Sequence, residues 1–331
     1  WKQAMLELKS YDKDEDQRFF QSWLRARYAE SIRPGKAGSK NEDFEKIGTR
    51  FHSWVRDNLS KIGLDATDGN SFERFVQDEF RFYYKTYIRI LDAEYDLVPG
   101  LEHVFYISRW GIAPTLSFPL MLAALSPQDS DETVVQKIDT VAAYIEAFVV
   151  RRSVNFRNFS ASSIRYTMYS LVKEIRGQDL PGLRALLGQK LQDMSESFSN
   201  MESFRWHGQN RRFVKFLLAR MTAWCERQAG MSSSFVTYYE PVSGKPFEVE
   251  HIWADKFARH QDEFEQEHEF QNYRNRLGGL VLLPRGTNQS YGDQPYENKK
   301  AHYIKENLLV KSLCPLAYDN NPNFLKLRNI I

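Results

Sequence analysis

The chain reads as a mainly α protein, with a multi-helix region over residues 1–230 followed by a small α+β domain over 231–331. Apolar residues up to about residue 230 recur at steps of three and four, as in Phe72, Phe75, Val76, Phe80, Tyr83, Tyr84, Tyr87 and Ile90. Near residue 234 the pattern changes to short β-rich runs, SFVTYY, FEVEHI and LGGLVLLP. Turn and capping residues separate these stretches and set the element boundaries.

Helices are expected at roughly 1–30, 43–61, 101–109, 116–126, 131–151, 161–176, 181–198 and 210–229. The stripe beginning at Phe72 is a core face. RPGKAGSKNE at 33–42 mixes glycine, proline and charge and reads as a loop, whereas DATDGN at 65–70 and SPQDSDE at 126–132 supply turn residues and helix caps. Downstream, the runs 235–239 and 247–252 form a hairpin across a Pro-Val-Ser-Gly-Lys-Pro turn. A charged stretch runs to Arg276, a second apolar strand covers 277–284, and a helix follows from Pro295, whose ring suits a first helical turn. The order is strand, excursion, strand, loop, helix, with no internal repeat and no low-complexity tract.

The 331 residues allow two domains and a real core, and 45 basic against 43 acidic residues leave a formal charge of +2. Such a balance excludes a global field for a polyanion, so any nucleic-acid surface is local. Two cysteines, Cys225 and Cys314, make no disulfide framework and no zinc spacing, which points to a reducing cytoplasm. No run approaches the length of a membrane-spanning apolar segment, and no signal-peptide pattern opens the chain. The first residue is Trp1, so a longer parent protein is expected.

FEVEHIWA ends a strand in Glu250 and His251. A histidine there offers a base that titrates near neutrality, while a carboxylate and an amide oxygen suit a hard divalent cation. His251 is the candidate base; Asn288, after the second strand, and Glu250 are the candidate ligands. Alternation along a strand sends Glu250 and His251 to opposite faces, an objection to placing both in one site. Taken alone, a histidine between Val249 and Ile252 is more often a packed structural residue. His260, His268 and His302 match no zinc motif.

E-H-I-W at 250–253, L-G-G-L-V-L-L at 277–283, Asn288 and N-K-K at 298–300 resemble the C-terminal nuclease domain of GmrSD-type restriction effectors. The resemblance implies an HNH-like, ββα-metal (His-Me finger) DNA endonuclease or nickase of antiphage defence. His251 then activates water, Asn288 helps to hold Mg²⁺ or Mn²⁺, and Lys299 contacts phosphate. Phosphorothioate-sensing defence nickases have this overall plan. It also implies an upstream nucleotide-hydrolysing or sensor domain in the same full-length protein. The Asp-Gly-Gln-Gln-Arg type signature of that domain does not occur here, so nucleotide hydrolysis is not expected of these residues. R-R-S-V-N-F at 151–156 and R-R-F-V-K-F-L-L at 211–218 fall where the family has joining helices.

One departure is Gly279, where the family's second strand carries an asparagine that supports the histidine. Asn275, four residues earlier, is not expected to replace it. A rival reading follows, in which the chain is a degenerate nuclease that binds DNA or regulates. Arg211, Arg212 and Lys215, beside Arg205, Arg220 and Arg227, form one candidate phosphate-contacting patch; Arg151 and Arg152, with Arg157 and Arg165, form another. The bland reading of the first is a helix with a basic outside and a core stripe of Phe213, Phe216, Leu217 and Trp224.

Overall fold

A computed structural model describes residues 1–240 and 246–314; most of the expected Pro-Val-Ser-Gly-Lys-Pro turn lies outside the described residues. Two compact units divide the chain, Trp1–Ser197 and Phe198–Ile331. Among the described residues no helix is long and apolar enough to cross a membrane.

The first unit holds α1 (Lys2–Tyr11), α2 (Glu15–Tyr28), α3 (Asp43–Asp57), α4 (Gly69–Arg74), α5 (Arg81–Tyr95), α6 (Glu102–Arg109), α7 (Pro114–Ala123), α8 (Asp131–Val154), α9 (Ala161–Ile175) and α10 (Leu180–Gln192). Every residue of α7 from Leu116 to Ala123 is buried. A helix apolar on all sides must be surrounded, and α2, α5, α8 and α9 pack around it. The caps fall where the sequence puts them: Asp68 accepts the Asn70 amide at 2.9 Å and Ser130 that of Thr133 at 3.1 Å. The single helix expected over 1–30 is two, because Asp12 turns extended and its carboxylate accepts the Asp14 amide at 3.0 Å.

A π turn, Phe75–Phe80, joins α4 to α5. Its wider pitch brings Phe75 and Phe80 onto the same ring, Trp23, at centroid distances of 5.2 and 6.2 Å. The same change of phase turns Phe72 outward, 56% exposed, so the expected core stripe holds from Phe80 onward and fails at its first residue.

The second unit holds α11 (Arg211–Gln228), α12 (Phe235–Tyr239), β1 (Phe247–His251), α13 (Glu267–Arg274), β2 (Leu280–Pro284), α14 (Arg285–Tyr291), α15 (Tyr296–Tyr303) and α16 (Leu308–Lys311). Residues 235–239 are a helix and not the expected strand. Ser234 caps it by accepting the Val236 amide at 3.3 Å, and Phe235 and Tyr238, three apart, are its buried residues. Among the described residues β1 therefore pairs with β2 alone, antiparallel from Phe247↔Pro284 to His251↔Leu280.

Val281 and Leu283 on one face of β2 pack with Tyr291, Tyr303 and Val310 from α14, α15 and α16. The helix α11 lies against both strands as well. Coverage on two sides explains why β2 reads as an unbroken apolar run. The unit that contains the sheet thus reaches back to Phe198, upstream of the expected boundary at 230. Phe213, Phe216 and Leu217 are buried as expected, but Trp224 is 41% exposed and is not part of the stripe. The expected loop after β2 is the helix α14.

Candidate active site

His251 is the last residue of β1 and is half-buried. Its Nε2 lies 2.8 Å from the Asn275 Oδ1. The Asn275 amide is oriented by its own Nδ2–H, which donates to the Gln271 carbonyl at 2.8 Å, so Oδ1 faces the ring. An acceptor facing Nε2 requires a proton there in the neutral imidazole, leaving the lone pair on Nδ1. Burial, and then the charge of Arg274, push the His251 pKa down to about 4. The ring is neutral at pH 7 and can accept a proton.

Asn275 is the residue the sequence discounted. It caps α13, and the turn Leu277–Gly279 folds back so that four residues of chain become a short distance in space. Its backbone is fixed from the other side, because the Trp206 amide donates to the Asn275 carbonyl at 2.7 Å. The Trp206 ring meets the His251 ring edge to face at 4.9 Å, and the Arg211 guanidinium lies 5.0 Å from the Trp206 ring centroid. The Trp206 Nε1–H is buried without a hydrogen-bond partner among the described residues. A sequence signal for Asn275 did exist: an asparagine directly after a charged helix and before a Gly-Gly turn.

Gly279 has a packing reason. A Cβ there would stand 2.6 Å from the Arg274 carbonyl oxygen, a clash with backbone that cannot move aside. The Gly279 carbonyl accepts the Ile252 amide at 2.9 Å, continuing the β1 pairing just past the histidine. An asparagine at this position would not fit, and the support expected from it comes from Asn275.

Glu250 points away from the imidazole, as alternation demands. Its Oε1 pairs with the Lys299 ammonium at 2.5 Å, and Lys299 also donates to the His251 carbonyl at 3.2 Å. Both side chains are nearly sealed from solvent, 10% and 1% exposed. Burial pushes the Glu250 carboxyl up, opposed by the hydrogen bond from Lys299. Lys299, expected at phosphate, is thus engaged in a buried pair, and Glu250, expected at a metal, is its partner. Asn288 sits in α14, half-buried, with no side-chain hydrogen bond among the described residues. No group of three histidine, cysteine or acidic side chains suited to a metal ion occurs among them. These residues do not assemble the ligand set expected for Mg²⁺ or Mn²⁺, which favours carboxylates.

Beside the histidine lies a cleft of about 570 Å³, lined among others by Ile252, Trp253, Arg274, Arg276 and Gly279. His251 is not among its lining residues. Arg274 is half-buried and donates from Nε to the Trp253 carbonyl at 2.9 Å. His260 stacks on Trp253 at 4.3 Å and His302 on Tyr291 at 5.7 Å, both as ring partners.

Arg211 and Arg212 are exposed at the start of α11, and Lys215 is partly covered, 5.7 Å from the Tyr239 ring. Arg212 also donates to the Tyr239 hydroxyl at 3.2 Å. In the first unit, Arg151 donates to the Leu191 carbonyl and Arg152 pairs with Glu196 at 3.0 Å. Those two arginines tie the end of α8 to the last turn of α10 and to the segment that follows it.

No curated protein and no solved structure matches the chain. Residues 189–317, less than half of it but including both strands, His251, Asn275 and Asn288, match the family described as GmrSD restriction endonucleases, C-terminal domain, a similarity that supports a restriction-endonuclease domain at this end of the chain.

Proposed function

We propose that the second unit is an HNH-like DNA endonuclease or nickase of antiphage restriction in which His251 is the general base. One observation carries the reading: the imidazole is neutral, its Nε2–H is held by Asn275, and Nδ1 has no partner among the described residues. Water gives its proton to Nδ1, the hydroxide oxygen bonds to phosphorus, and the bond from phosphorus to one backbone oxygen breaks; that oxygen takes a proton from solvent, and the imidazolium returns its own proton to solvent. A base with a pKa of about 4 is weak in the free protein. A phosphate brought beside Arg274 offsets that cation and raises the imidazole pKa, strengthening the base when DNA is bound. Arg211, on Trp206, and Arg276, in the cleft, supply positive charge around the phosphodiester.

Mg²⁺ or Mn²⁺ enters on the resemblance alone, as counter-charge for the scissile phosphate. In the parent protein an upstream nucleotide-hydrolysing or sensor domain would govern cutting. Nicking of supercoiled plasmid with Mg²⁺ or Mn²⁺ tests the reading. His251→Ala should lose about 10²- to 10⁴-fold in rate, the usual contribution of a positioned base. Undiminished nicking removes His251 from the chemistry. The engagement of Glu250 by Lys299 favours a second reading, a DNA-binding module without catalysis, which predicts salt-sensitive binding and no scission in any divalent metal.

A further inference from the structure

The first unit carries a broad cleft of about 800 Å³ that the nuclease reading does not use. One wall is α4, the π turn and α5, a continuous helix whose junction residues Arg74, Phe75, Phe80 and Arg81 all keep right-handed helical angles. The Arg81 amide reaches back to the Val76 carbonyl, the five-residue step of a π turn, a feature that recurs at functional sites.

Five cations line the cleft, Arg27, Lys61, Arg74, Arg81 and Lys85, against the carboxylates of Asp78 and Glu79. Lys61 and Arg74 have partners, Asp43 at 3.6 Å and Asp68 at 3.5 Å. Arg27 reaches Glu79 only at 3.9 Å, and the Arg27 Nε and Glu79 Oε2 atoms are buried without hydrogen bonds among the described residues. Burial pushes the Glu79 carboxyl up, opposed by the charge of Arg27. Arg81 and Lys85 are exposed, one helical turn apart, and neither has an acidic partner among the described residues.

The arrangement distinguishes an extended polyanion from a compact one. A lone phosphate group needs its cations converging on a point, whereas Arg74, Arg81 and Lys85 are strung along one helix. At 1.5 Å per residue they span on the order of 16 Å, the rise of roughly four or five phosphates of one DNA strand. Half-buried Tyr28, Phe75 and Phe82 also line the cleft and offer ring faces to bases. We propose that this cleft binds the sugar-phosphate backbone of DNA, with Arg81 and Lys85 as its principal phosphate contacts. That the extended polyanion is DNA rests on the nuclease reading of the second unit.

The test is fluorescence anisotropy of a labelled DNA oligonucleotide with the full chain in EDTA, so that cleavage plays no part. Arg81→Glu with Lys85→Glu should weaken binding about tenfold or more, and the slope of log affinity against log salt should shrink by about 1.4 to 1.8 for two lost phosphate contacts. Arg81→Gln with Lys85→Gln, which removes charge without reversing it, should weaken binding less and in the same direction. Unchanged DNA affinity in both double variants overturns the proposal. So does competition in which ATP or inorganic phosphate at low concentration displaces the DNA, since that marks a compact anion site.

Discussion

His251 shows how one hydrogen bond sets a reactive atom. Because Asn275 can only accept from Nε2, the basic lone pair sits on Nδ1 before any substrate arrives. Imidazole nitrogen NMR should find the Nε2–H tautomer at pH 7 and a midpoint near 4, and in Asn275→Ala the midpoint should fall further, because that bond favours the charged ring. A midpoint near the ordinary 6.5 would contradict the arrangement. The unfolded chain takes up this proton near 6.5 and the folded chain only near 4, so the stability tied to His251 is whole above 6.5 and declines as pH falls towards 4. The place of His251 at the end of a strand was legible, since that strand and its neighbours are local in sequence. Asn275 was not, because its nearness to His251 depends on a turn whose geometry no spacing rule supplies.

At the scale of elements, β1 sorts two adjacent ionisable residues to different tasks. Glu250 and His251 face opposite ways, which alternation foretold, but the partner of each comes from a distant helix and was not foretold. Lys299→Ala should cost about 3 to 5 kcal/mol in urea unfolding by leaving the Glu250 carboxylate buried and unpaired. Replacing both, Glu250→Leu with Lys299→Met, should restore most of that loss and retain plasmid nicking. A stable but inactive double variant would return Lys299 to the phosphate. The strand expected at 235–239 failed for a different reason. Val-Thr-Tyr-Tyr favours strands, yet five residues are too few for periodicity to decide, and the Ser234 cap with packing of Phe235 and Tyr238 tips the balance.

At the scale of the whole molecule, the helical character of the first part and the two strands at 247–251 and 280–284 were legible from periodicity. The unit's beginning was not, because α11 reads as one more amphipathic helix until its apolar face is seen against the sheet. Residues 198–331 expressed alone should give a cooperative thermal transition. Residues 231–331, lacking Phe213, Phe216 and Leu217 over the strands, should bind a hydrophobic dye and show none; two equally cooperative transitions would contradict this account. The tie between Trp206, His251 and Asn275 bears on synthesis as well. Closing that triangle requires residues from both ends of a long interval, so it carries a loop-closure cost and forms late in folding. On a ribosome-bound chain the His251 Nε2 lacks this partner until residue 275 has emerged.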